Sequence, residues 1–166
     1  SPMTAAIEML QEPVDNKFTL LNSYYEQTTE CMRYLKDTYG LSKVCAMYLP
    51  TDFGFEISNA TKAEAEGMGL TFVSETTHRP DDQDFVGAVQ KLRADGCEIV
   101  TMALGVRAGI TVVGTAKQLG WADVKFLATS AGFLEAVAAV PGGVTDGLYA
   151  AAGWVDLLAR RDDPAP

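Results

Sequence analysis

The stretch VCAMYLPTDFGFE (44–56) decides the fold: an apolar run of six residues, then a turn carrying proline, threonine, aspartate and glycine. A short continuous apolar run bounded by turn residues suits a strand covered on both faces, as in a parallel sheet. Four further runs repeat the pattern: LTFVSE (70–75), EIVTMAL (98–104), KFLATS (125–130) and GLYAAA (147–152). Helical spacing fills the gaps. Tyr25, Thr28, Met32, Leu35 and Tyr39 form one apolar stripe, Phe85, Ala88, Val89 and Leu92 a second, and Val112, Ala116 and Leu119 a third.

Gly40, Gly67, Gly96 and Gly120 stand as candidate helix stops, at intervals of 27, 29 and 24 residues, about one strand–helix unit each. Asp84 is expected to N-cap the helix beginning at Phe85. Alternating strands and helices predict an α/β fold: a three-layer αβα lobe on a mostly parallel, Rossmann-like or flavodoxin-like sheet of about five strands. The two ends break the pattern. Residues 1–16 hold TAAIEMLQ, a short possible helix, and the loop EPVDN, while 158–166 (LARRDDPAP) begin no further unit. The chain reads as a piece of something longer, with the folded unit at 17–157.

The bulk numbers narrow the function. With 166 residues the chain holds one core. Hydrophobic residues at 48% and charged residues at 21% mark it as globular, and a net charge of −9 disfavours nucleic acid as a partner. No apolar run reaches the roughly 18 residues of a membrane span. The N-terminal SPMTAAIEML shows neither a basic n-region nor a cleavage pattern, so a signal peptide is not part of this sequence. The three cysteines, Cys31, Cys45 and Cys97, have no metal-ligand spacing, and their odd number argues against a disulfide framework. Cys45 and Cys97 lie in or beside apolar runs and read as buried thiols; a Cys31–Cys45 bridge is the alternative.

Ligands of open parallel sheets bind beyond the carboxyl ends of the strands. Four loops fall on that edge: PTDFGFE (50–56), THRPDDQD (77–84), GVRAG (105–109) and SAGF (130–133). The first offers Thr51, Asp52, Phe53 and Gly54. Gly54 either lets the backbone approach a ligand or makes the strand–helix turn, and Phe53 either stacks on a ligand or packs as a staple. Val106 and Arg107 stand in the loop after the third strand, where a guanidinium suits a ligand carboxylate; a solvated surface arginine is the alternative. Thr129 and Ser130 close the fourth strand, as hydrogen-bond donors to a ligand or as caps of the following helix. His78, the one histidine, reads as a surface loop residue, and Asp81, Asp82 and Asp84 as a solvated turn lacking the pattern of a calcium loop. Nothing calls for a metal or cofactor. GxGxxG after a strand, GxxxxGK[ST] and GxSxG are all missing, which weighs against a nucleotide-binding enzyme or a hydrolase.

Three stretches carry a resemblance: NKFTLLNSYYEQTTECMRYLKDTYGLSKVCAMYLPTDFGFE, DDQDFVGAVQKLRADGCEIVTMAL and GTAKQLGWADVKFLATSAGF. From Asn16 to about Trp154 the chain resembles the type I periplasmic-binding fold, in its leucine/isoleucine/valine-binding branch. Phe53-Gly54 matches the family's aromatic-Gly pair, Asp84-Phe85 its helix start and Leu119-Gly120 its helix end. The resemblance implies a non-enzymatic, extracytoplasmic or periplasmic ABC-importer receptor. Such a receptor has two lobes, binds a small-molecule solute between them and works with a membrane permease. This chain would be mainly the second lobe. KFTLL (17–21) would be a crossover into it, residues 1–16 a remnant or linker from the missing first lobe, and 158–166 a truncated return. A ligand-sensing domain of a receptor or regulator with the same fold is the other implication. Amino-acid binders of the family place an acidic residue near the end of the fourth strand to pair the ligand ammonium. The matching position here is Ser130, and a buried ammonium without a partner costs on the order of several kcal/mol. The departure points away from an amino acid and toward another organic acid, aromatic carboxylates among them.

Overall fold

Each of the five apolar runs forms a strand in the computed structural model, which describes residues 4–154. In chain order the elements are α1 (Tyr24–Tyr39), β1 (Lys43–Tyr48), α2 (Asp52–Gly67), β2 (Thr71–Thr77), α3 (Val86–Ala94), β3 (Ile99–Ala103), α4 (Val106–Gln118), β4 (Lys125–Ala128), α5 (Glu135–Ala138) and β5 (Leu148–Ala150). All four strand pairings are parallel, and the order across the sheet is β2-β1-β3-β4-β5.

Side-chain alternation along the central strands explains why their sequences are apolar throughout. Cys45, Met47, Val100, Met102 and Phe126 point to one face and pack with Val89 and Leu92 of α3 and Val112, Val113 and Ala116 of α4. Val44, Ile99 and Leu127 point to the other, against Met32 and Leu35 of α1 and Ala65 of α2. With both faces covered, no buried position in β1 or β3 can be polar without a partner. Thr101, fully buried, has one: its hydroxyl lies 2.8 Å from that of Thr61 on α2.

Local chemistry sets the helix ends. Ser23 and Glu26 form a capping box at the start of α1: the Ser23 hydroxyl accepts the Glu26 N–H (3.1 Å) and the Glu26 carboxylate accepts the Ser23 N–H (2.9 Å). Gly40 closes α1 in the left-handed conformation, at φ 67°. At α2 the left-handed residue is Gly69, φ 74°, rather than Gly67, which is the last residue of the helix. Asp84 stands one residue further out than an N-cap, because α3 starts at Val86 with Phe85 in the cap position. Its carboxylate still accepts the Val86 N–H, at 2.9 Å.

The cysteine reading is corrected. Cys45 and Cys97 form a disulfide with Cα atoms 5.8 Å apart, and Cys31 is the free thiol. The chain that leaves α3 turns at Gly96 and enters β3 beside β1, which brings Cys97 under Cys45 on the α3/α4 face. Adjacency of two strands 52 residues apart in sequence decides the pairing.

The N-terminal residues dock against α1 and α2. Ile7–Leu10 forms a short 3-10 turn, Ala5 is buried, and its carbonyl accepts the Tyr24 N–H at 2.8 Å. Glu56 of α2 accepts from Ile7 N–H (3.1 Å) and Tyr25 N–H (2.9 Å) through one carboxylate oxygen. Burial pushes its pKa up, against those two amide donors. KFTLL forms no regular element, and Phe18 and Leu20 project into solvent, the latter fully exposed. Beyond β5 the chain passes the same segment: a Cβ on Gly153 would sit 3.0 Å from the Leu21 side chain and 3.3 Å from Asn22 Oδ1. LARRDDPAP lies outside the described residues.

Candidate functional site

In the order 2-1-3-4-5 the chain leaves β1 toward one edge of the sheet and β3 toward the other, so a crevice opens between their carboxyl ends. The segments after β1 and β3 line it. Thr51 N-caps α2, its hydroxyl accepting the Gly54 N–H at 3.3 Å, and the exposed Asp52 follows in the first turn. Phe53 turns inward, half-buried, with its ring edge-on to Tyr24 at 4.9 Å between centroids. Gly54 is a packing residue: a Cβ there would collide with the Leu49 carbonyl oxygen, so the absent side chain brings α2 onto the end of β1 and faces no open cleft.

Opposite, Gly105 begins α4, and Val106 and Arg107 occupy its first turn. Sequence reading placed both in the loop 105–109; the helix instead starts at Val106, with Gly105 in the cap position two residues after the end of β3. Both are exposed at the mouth of the crevice.

Thr129 and Ser130 follow β4, and neither caps α5, whose N-cap is Leu134. Ser130 is buried and opens a 3-10 turn; its N–H donates to the side-chain oxygen of Gln27 at 2.8 Å. The same Gln27 carboxamide donates to the Asn22 carbonyl at 2.8 Å, tying this loop to the entering segment. Thr129 is 3% exposed, and its hydroxyl has no hydrogen-bond partner among the described residues.

Two cavities result. The inner one, about 20 Å³, admits a single water-sized group and is walled by Phe53, Met102, Val106, Ile110 and Val137 with the Thr129 residue in its lining. The outer one, about 250 Å³, is lined by Leu49, Arg79, Pro80, Phe85 and the first turn of α4 including Arg107. They share Leu104, Gly105 and Val106, and no acidic residue among the described ones lines either. Arg79 was missed by sequence reasoning, although its loop THRPDDQD was placed on this edge; nothing in the local pattern separates it from a solvated turn.

His78 is corrected from a surface residue to a buried one, 9% exposed. Its ring packs on Phe85 (centroids 4.9 Å), and Nε2 lies 3.2 Å from the Thr76 hydroxyl. Burial lowers its pKa, and the Asp82 carboxylate, 3.8 Å from Nδ1, opposes the shift. Asp82 also accepts the Arg79 N–H at 2.9 Å and so shapes the loop, while His78 supports the aromatic floor of the outer cavity.

An open αβα lobe with a crevice at the carboxyl edge of its sheet, lined by apolar residues and by Arg79 and Arg107, has the form of a small-molecule binding module. The family profile described as periplasmic binding protein matches residues 4–165, and the chain belongs to that family. It is a family of solute-binding proteins rather than enzymes. A branched-chain amino acid ABC transporter protein from Thermus thermophilus, solved with bound valine, superposes with a TM-score of 0.80 at 21% identity, over 90% of this chain and 39% of that one. A fatty acid ABC transporter substrate-binding protein from Thermomonospora curvata gives 0.71 at 20% identity, over 80% and 35%. An ABC transporter solute binding protein from R. palustris in complex with 4-hydroxybenzoate gives 0.64 at 19%, over 76% and 34%. At these identities the likeness is one of fold, and the chain spans little more than a third of each structure. No curated protein matches the chain in sequence.

Proposed function

We propose that this chain is the second lobe of an extracytoplasmic receptor that captures a small organic solute against a first lobe and presents it to the permease of an ABC importer. Residues 17–157 would form the lobe, with 1–16 and 158–166 running to and from the other. The buried, unpartnered Thr129 hydroxyl in an otherwise apolar cavity carries the reading, because a buried hydroxyl without a partner is costly and a bound solute would satisfy it. Phe53 and Val106 would flank the solute, with Thr51, Asp52 and Gly54 shaping the β1 side and Ser130 the β4 side. The Cys45–Cys97 disulfide supports an oxidising compartment.

The lining disfavours a zwitterionic amino acid. Ser130 stands where an acidic partner would be, its N–H is engaged by Gln27, and neither cavity offers a carboxylate to an ammonium. A thermal-shift screen of the intact two-lobed receptor tests both parts of the reading. The panel holds branched-chain amino acids, aromatic carboxylates and small amides. A ligand at 100 times its dissociation constant stabilises by about 2.7 kcal/mol, a readable shift. Stabilisation by carboxylates or amides is expected; stabilisation by leucine-like amino acids alone would overturn the solute class, and a panel without any shift would overturn the receptor.

A further inference from the structure

The outer cavity is positive in an acidic chain. The sequence carries 22 acidic residues against 13 lysines and arginines, yet among the described residues two arginines and no acid line this cleft. Several other cations of the described residues are paired: Arg33 with Glu30, Lys62 with Glu75, Lys91 with Asp95. Neither the Arg79 nor the Arg107 guanidinium makes an ion pair or hydrogen bond among the described residues. Asp82, the near carboxylate, is held by the Arg79 backbone N–H. Gly105 offers no side chain to cap α4, so the first-turn amides of a 13-residue helix open on the same cleft and add partial positive charge.

A second observation points to a ligand independently. The Thr129 hydroxyl, buried and unpartnered, lines the adjoining cavity, and Leu104, Gly105 and Val106 form the wall between the two. The geometry points to a carboxylate clamp: we infer that Arg79 and Arg107 bind the carboxylate of an amine-free, apolar organic acid. The apolar body of the acid would lie along Leu104 and Val106 toward Phe53, and a polar atom or bridging water would meet Thr129. This inference rests on the receptor reading above and adds the charge of the solute, the place of its charged end and the role of Arg79. Guanidinium suits a carboxylate because it presents paired N–H donors in one plane.

Matched acids and amides test it. Benzoate against benzamide, and hexanoate against hexanamide, differ in charge and little in shape. Titration calorimetry of the intact receptor should show each acid binding at least about tenfold tighter than its amide, the scale of one charge-assisted hydrogen bond. Arg79→Gln and Arg107→Gln should each narrow that preference, the double variant should bind acid and amide alike, and added salt should weaken the acid only. Both arginines are exposed, so unchanged thermal unfolding of the solute-free variants will show that the fold persists. Equal affinity for acid and amide in the unaltered receptor, or an acid preference that survives the double substitution, overturns the clamp while leaving the receptor intact. If leucine, the acids and the amides all fail to bind, the receptor reading falls and the clamp with it.

Discussion

Charging His78 means placing an imidazolium against Phe85 and away from water. An unfolded histidine titrates near 6.5, and in the fold burial holds the value lower, with Asp82 recovering part of the loss. Between the two values the unfolded chain binds the extra proton. Stability from this group is therefore complete above the unfolded value and is lost as the pH falls through the depressed one. Thermal unfolding from pH 8 down to pH about 5.5 should show a decline that His78→Gln makes shallower; coincident slopes would sink the assignment. Glu56, raised by burial, acts in the opposite sense near the carboxylate range, since its ionisation is the costly event. Little of this was legible beforehand. A lone histidine between Thr77 and Arg79 has no local pattern that marks it as buried; only the return of the loop over Phe85 covers it. The place of Thr129 at the carboxyl edge was legible because it follows β4 directly, and that of Phe53 because it lies just past the turn that ends the β1 segment. Gly54 was legible as a glycine that matters, but its reason, the Leu49 carbonyl, depends on the packing of a helix on a strand end.

At the scale of elements, the strands were readable because sheet burial on both faces leaves an unbroken apolar signature. The ends of α1, α3 and α4 were readable from Gly40, Gly96 and Gly120, all of which take positive φ. The start of α4 was not, since Gly105 carries no capping side chain to announce it. The covalent link between β1 and the entry to β3 was not readable either, because it depends on which strands lie side by side. It closes a loop containing α2, β2 and α3. Constraining a loop of this length removes entropy from the unfolded chain, typically worth about 2–4 kcal/mol. The double variant Cys45→Ala/Cys97→Ala should lose that amount in urea unfolding, and reduction of the native protein should match it. A loss below about 0.5 kcal/mol, the level of an ordinary surface change, would show that the bridge contributes little.

At the scale of the whole molecule, the proposed site residues all lie on one edge of one sheet, and that edge is open. Small-molecule sites bury about 70–90% of their ligand, which one exposed face cannot do. Residues 4–154 expressed alone should therefore unfold cooperatively but bind a solute of the intact receptor on the order of a hundredfold more weakly. Equal affinity for the two would mean that the lobe is a complete site and that the two-lobed reading is wrong.

In the two-lobed receptor proposed above, the passage of Gly153 alongside Leu21 and Asn22 would have a mechanical meaning. A body tethered by a single strap can swivel freely; one tethered by two adjacent straps can bend across their common line but resists torsion about it. Gln27 fastens the Asn22 strap to the Ser130 turn, so flexure would begin at a point already bolted to the crevice. Approach of a facing body would then follow one arc instead of a search over orientations, and its jaws would meet in register each time.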